Sequence, residues 1–213
     1  MNNRIIRIVL MMFFLVTSAK AQITFNAGLH ADVTGSSIPY FSNRTFAKLG
    51  FSAGVIVSGG EDWNIVQLEI NYTQKGALRK PDTITWNLGV LQLNYLEFPL
   101  MYRYNDLWLP GFHTGYLEVG LSYGQLLSSR LYIDNLDQEI LPGTIRRFDL
   151  SFVAGFGVHM GEHFLFRTRF NLSFHPVLKR NPVPREYNPF RPWTAYNSMF
   201  QFGLAYLFLG NDS

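Results

Sequence analysis

Along most of this chain, apolar and polar side chains alternate with period two, in stretches of about ten residues. In the first stretch Ile23, Phe25, Ala27, Leu29, Ala31 and Val33 share one face, and Thr24, Asn26, Gly28, His30 and Asp32 the other. The second, residues 48–58, sets Leu49, Phe51, Val55 and Val57 against Gly50, Ser52, Gly54 and Ser58. The third sets Val66, Leu68, Ile70 and Tyr72 against Gln67, Glu69, Asn71 and Thr73. The fifth to eighth repeat the pattern through Leu117–Tyr123, Phe148–Val158, Phe164–Phe174 and Phe200–Phe208. Such alternation puts one residue set on each face of a β-strand. The apolar face carries bulky Phe, Leu and Tyr, whereas the polar face carries Gly, Ser and charges. Small and charged residues suit a narrow lumen, and large apolar ones suit lipid. A soluble ligand-binding barrel would turn its apolar set inward, and the pattern disfavours it.

The fourth stretch, residues 88–104, slips in phase: Leu91, Leu93 and Tyr95 are odd-numbered, and Phe98, Leu100, Tyr102 and Tyr104 even-numbered. A bulge near Tyr95 and Leu96 would restore one apolar face. Pro99 suits a disturbed strand.

Connections alternate in length. Gly59–Asp62 and Gly161–Glu162 are short turns and residues 105–114 an intermediate one, while residues 34–47, 75–87, 129–146 and 176–195 are long. The expected fold is therefore all-β: an eight-stranded antiparallel transmembrane barrel with short periplasmic turns and long external loops.

The first residues read differently. Arg4 and Arg7 precede an apolar run from Ile8 to Val16, too short to span a bilayer, and Ala19-Lys20-Ala21 resembles a cleavage site. Residues 1–21 are expected to be a cleaved secretory signal peptide and residues 22–213 the barrel domain; a buried N-terminal helix is the weaker alternative. Three of the 18 basic residues, Arg4, Arg7 and Lys20, would leave with the leader, so 15 remain against 15 acidic ones. The basic balance of the whole chain thus gives no reason to expect a nucleic-acid partner. With no cysteine, disulfides, Cys-ligated metals and a lipidated N-terminal cysteine are excluded.

Four segments carry a family resemblance. They are Phe25-Asn26-Ala27-Gly28-Leu29, Gly50-Phe51-Ser52-Ala53-Gly54, Glu69-Ile70-Asn71-Tyr72-Thr73-Gln74-Lys75-Gly76 and Leu93-Asn94-Tyr95-Leu96-Glu97-Phe98-Pro99-Leu100. In this order they resemble the PorT-like outer-membrane β-barrel family of Gram-negative bacteria. The resemblance implies fold and compartment first. One branch of the family also implies an accessory role in type nine protein secretion.

Among the inward positions, Glu69, Glu97, Arg103, Glu118, Arg147, Asp149, Arg167 and Arg169 are the candidate functional residues. Ions kept from water must be paired, and Arg binds carboxylates bidentately. A lumenal ion-pair network that plugs the barrel is expected, with Glu97 facing Arg103 along its own strand. A selective pore is the alternative, for which eight strands leave little room. His30, His159 and His175 face inward but are expected too far apart for a metal site, and no cofactor is expected. Ser173 and His175 share a face and Asp32 could lie near, which raises lipid A-modifying catalysis as an alternative. The last long loop carries Lys179, Arg180, Arg185, Arg191 and Trp193. It is either a solvated, proline-stiffened loop or a contact for lipopolysaccharide phosphates or a protein partner. The functional expectation is a non-enzymatic outer-membrane barrel, structural or accessory to a larger assembly.

Overall fold

The computed structural model describes residues 24–39, 46, 48–61, 63–81, 88–109, 112–134, 136–138, 145–177 and 196–208. The expected leader, the boundary at residues 21/22, and Lys179, Arg180, Arg185, Arg191 and Trp193 lie outside the described residues.

The described residues form β1 (Thr24–Ser37), β2 (Lys48–Glu61), β3 (Asn64–Arg79), β4 (Gly89–Leu109), β5 (Phe112–Ile133), β6 (Leu136–Gln138), β7 (Phe148–Met160), β8 (Phe164–Pro176) and β9 (Tyr196–Leu207). Apart from β6, each strand pairs antiparallel with its neighbours in sequence, β5 with β7, and β1 pairs with β9 to close an eight-stranded barrel. The three-residue β6 is a hairpin return on the end of β5. No described helix is long and apolar enough to cross a membrane; closure of the ring of strands leaves the sheet without an open edge.

Side-chain direction follows the alternation. Phe25, Leu49, Phe51, Leu68, Leu121, Phe156 and Phe202 point outward and stay exposed, Leu49 at 72%. An aromatic group of Phe25, Trp63, Tyr104, Phe164, Tyr206 and Phe208 rings the short-turn end of the outer surface, where amphipathic rings meet the membrane interface.

The lumen is stacked in layers. At the long-loop end Ile38, Ala77, Leu91, Leu93, Tyr95, Ile145 and Val177 form a buried apolar cap. A second apolar cluster, Ile56, Tyr116, Leu165, Ala205 and Leu207, lies toward the short-turn end. Buried polar and charged residues fill the space between.

The cap corrects the reading of the fourth stretch. Register between β3 and β4 is unbroken from Asn64↔Tyr104 to Arg79↔Gly89, so odd residues of β4 face inward throughout. Leu91, Leu93 and Tyr95 therefore plug the mouth instead of facing lipid. The bulge exists, but on the partner strand: Asn94 pairs with Ser128 and Tyr95 with Leu126, leaving Leu127 as the extra residue. The physical reason is that β4 and β5, at 21 and 22 residues, far outrun the roughly 9–11 residues a membrane needs. Beyond the bilayer no lipid rewards an apolar outer face, and the apolar residues turn in over the lumen.

β3 also runs on where a loop was expected. Gly76 makes this possible: its φ is +146° and a Cβ there would meet the Leu91 carbonyl oxygen at 2.0 Å. Lys75 is thereby held inside the barrel, 1% exposed.

The outward face predicts a depth-dependent response. Phe152, mid-strand on β7 and exposed, should lose about 2–4 kcal/mol of folding stability when replaced by Arg. Reversible unfolding in bilayers measures it; a cost near zero would place Phe152 away from lipid.

Candidate functional site

The middle of the lumen is an ion-pair network across four strands. Arg167 and Arg169, successive inward positions of β8, reach toward β1, β3 and β5. Arg167 grips Asp32 with two bonds, Nε to Oδ1 at 2.8 Å and Nη2 to Oδ2 at 2.6 Å, and its Nη1 donates to Glu69 Oε1 at 3.0 Å. Arg169 donates to Glu69 Oε2 from Nη1 at 2.8 Å and to Oε1 from Nη2 at 2.7 Å. It also donates to Glu118 Oε2 from Nη2 at 2.8 Å, with Nε on Oε1. These side chains are all at most 1% exposed. Glu69 thus sits between two guanidiniums, and its remaining contacts come from the amides of Gln67 and Asn71.

His30 completes this layer. Its Nε2 lies 2.6 Å from Asn71 Oδ1, and its Nδ1 takes the Arg167 Nη2 donor at 2.5 Å. An arginine donor at Nδ1 fits the neutral Nε2–H tautomer, which then donates to Asn71. Arg103 donates to Gln67 and lies flat over the Tyr116 ring, 4.5 Å from its centre. That ring in turn covers Gly157, where a Cβ would come within 2.4 Å of it. Three carboxylates, Asp32, Glu69 and Glu118, thus face three guanidiniums, Arg103, Arg167 and Arg169. Buried charges are tolerated when paired and fully hydrogen-bonded.

A smaller cluster lies above. Lys75 Nζ contacts Glu97 Oε1 at 2.5 Å and Asp149 Oδ2 at 3.1 Å, beneath the Tyr95 ring of the cap.

The geometry regroups the expected residues. Glu69, Glu118, Arg167 and Arg169 meet in one network. Glu97 and Asp149 belong to the other cluster, and Glu97 pairs with Lys75, not with Arg103 along its own strand. Arg147 departs from expectation: it precedes β7 at the mouth and is exposed. At the barrel rim the alternation no longer dictates which way a side chain faces. Asp32, His30 and Lys75 were not among the expected network. The first two were legible as inward positions of β1, whereas Lys75 was hidden by ending β3 too early.

Ser173, His175 and Asp32, the residues of the catalytic alternative, are not brought together. Ser173 Oγ makes no hydrogen bond among the described residues, His175 packs edge-on against Phe148, and Asp32 is held by Arg167. His30, in mid-strand instead of near the external end, is separated from His159, which packs on Tyr116. No group of three metal-ligating side chains occurs among the described residues.

Fold and lumen together define an integral outer-membrane β-barrel. Residues 13–179 match the family model described as outer membrane protein beta-barrel domain, so the chain belongs to that family and resides in the outer membrane. Similar solved structures include Ail of Yersinia pestis, at 11% identity and TM-score 0.47, covering 86% of this chain and 98% of that one. Neisserial surface protein A is 12% identical with TM-score 0.45, covering 87% and 99%. OprG of Pseudomonas aeruginosa is 13% identical with TM-score 0.39, covering 88% and 95%. No curated protein matches the sequence.

The two clusters should respond unequally to loss of an acid. Glu69→Ala removes the carboxylate that two buried guanidiniums share, leaving Arg167 only Asp32 and Arg169 only Glu118, and is expected to cost about 3–5 kcal/mol. Glu97→Ala leaves Lys75 still paired with Asp149 and should cost clearly less. Urea unfolding of both variants in the same lipid decides it; equal costs would contradict the division into two clusters.

Proposed function

We propose that this protein is a non-enzymatic outer-membrane barrel, closed to solutes, that serves as an accessory subunit of a larger outer-membrane assembly. The observation that carries the reading is the filled lumen. Buried ion pairs span its middle and apolar clusters lie toward both ends. Among the described residues this filling leaves no evident bulk path, and Ser173 is not hydrogen-bonded to a base, which supports the reading.

What remains available for interaction is the long-loop end. There β3, β4 and β5 continue past the last β2 and β7 pairings, at Ser52↔Thr73 and Gln125↔Phe148, as a sheet extended by β6. Its outer face carries Gln92, Ser128, Arg130 and Tyr132, with Ser128 bonded to the buried Asn94 and Arg130 to Tyr132. Planar amides, hydroxyls and a guanidinium suit contact with lipopolysaccharide sugars and phosphates or with a protein. The finer reading follows the resemblance to the PorT-like family: the assembly would be a protein-secretion machine of the type nine kind, with an outer-membrane or periplasmic protein as partner.

Affinity purification from the native outer membrane tests the reading. A partner protein in fixed proportion is expected, and a barrel recovered alone with lipid would overturn the accessory role. Two companion measurements address the alternatives. Lipid A masses should be the same in a deletion strain and its parent, against an enzyme. The wild-type barrel should show no steady conductance in planar bilayers, against a pore.

A further inference from the structure

We infer that the lumen encloses a hydrated polar chamber between the ion-pair network and the apolar cap, so that the cap is a barrier in front of water and not the surface of a continuous core. The same order of layers is found on three strands. Upward along β8 come Arg167 and Arg169, then Asn171 and Ser173, then His175, and beyond the strand Val177 of the cap. Along β4 come Arg103, then Met101, Pro99 and Glu97, then Tyr95 and Leu93 of the cap. Along β7 come Ser151 and Asp149, with Ile145 of the cap beyond.

The middle level holds the Lys75–Glu97–Asp149 cluster on one side and short polar side chains beside it. Ser122 pairs in register with Ser151, and Ser151 with Ser173. Leu172 is opposite Ser198, and the buried Asn197 of β9 follows where the β8–β9 register shifts. Ser122, Ser151, Ser173 and Asn197 are at most 4% exposed. Yet Ser122 Oγ, Ser173 Oγ, Asn171 Oδ1 and both polar atoms of the Asn197 amide have no hydrogen-bond partner among the described residues. Leaving one such group unsatisfied costs about 1–3 kcal/mol, and here five atoms gather at one level. Short side chains on adjacent strands leave room, and a polar space with several donors and acceptors is where buried water is held. Met101, Val153 and Met199, also buried, supply the apolar part of the wall.

The layers bound this space. Below it Arg167 and Arg169 are saturated by carboxylates, so they do not turn up to satisfy the serines and asparagines. Above it the cap contributes leucine, isoleucine, valine and alanine, with Tyr95 the one hydroxyl. The chamber is thus closed below by the ion-pair network and on the loop side by apolar packing.

The absence of cysteine from the chain allows a direct test. Ser173→Cys and Ser122→Cys place single thiols in the chamber, and Leu165→Cys places one in the apolar cluster nearer the short turns. Each is treated with a small charged methanethiosulfonate in the folded, detergent-solubilised protein, with and without Leu93→Ser in the cap. Thiol modification depends on access of water and reagent to a thiolate, so acceleration of at least about tenfold is expected at residues 173 and 122 once the cap is made polar. The thiol at residue 165 should keep its rate. No acceleration would mean a dry packed interior. Equal acceleration at 165 would mean general loosening. Rapid modification with the native cap would mean that the cap is no barrier. Each of these three results overturns the inference.

Discussion

Closure of the sheet by β1 against β9, from Gly28↔Leu207 to Ser37↔Ser198, is the constraint on which everything else depends. In lipid an open sheet edge would leave a row of backbone groups without partners. Once the ring is shut with eight strands, the interior is narrow enough for side chains to fill. That narrowness forces the chemistry of the lumen. Charged groups from opposite walls are brought within bonding distance of each other, and each must be neutralised locally because little water can reach it. The Glu69 carboxylate held between Arg167 and Arg169 follows from this geometry.

The transmembrane part of this fold is written plainly in the chain, because lipid on one side and a polar lumen on the other impose opposite demands on successive residues. Strands β1, β2, β3, β7, β8 and β9 and their directions are legible for that reason, as are the inward acids and arginines. Legibility fails where the bilayer ends. Leu91, Leu93 and Tyr95 look like lipid-facing residues that have slipped phase, but they obey the register of β4 and face a part of the lumen that has become apolar. Lys75 looks like the start of a loop because Gly76 follows it, whereas that glycine is what lets the strand continue. Arg147 looks like an inward strand residue but lies beyond the last pairing of β7 with β5. Pairing between particular charges was also illegible. Alternation reports which way a side chain points but not which tilted strand crosses its path, so Glu97 meets Lys75 and Asp149 instead of Arg103.

The lumen is therefore not one environment. Its ionic middle gains specificity from geometry that a hydrophobic filling would lack, and its apolar layers avoid the desolvation cost of more charge. The row of small polar residues above the network has neither the charge to pair nor the bulk to pack.

The placement of the charges along the chain bears on how the barrel enters the membrane. Two adjacent arginines of β8 are neutralised only by acids of β1, β3 and β5, more than 50 residues earlier in the chain. No hairpin near the C-terminus carries its own counterions, and β1 and β3 arrive with acids that match only β8. A half-inserted ring would expose uncompensated ions to hydrocarbon from either side. Insertion is thus made cooperative by electrostatics as well as by backbone pairing, since the first and last thirds of the chain must cross together.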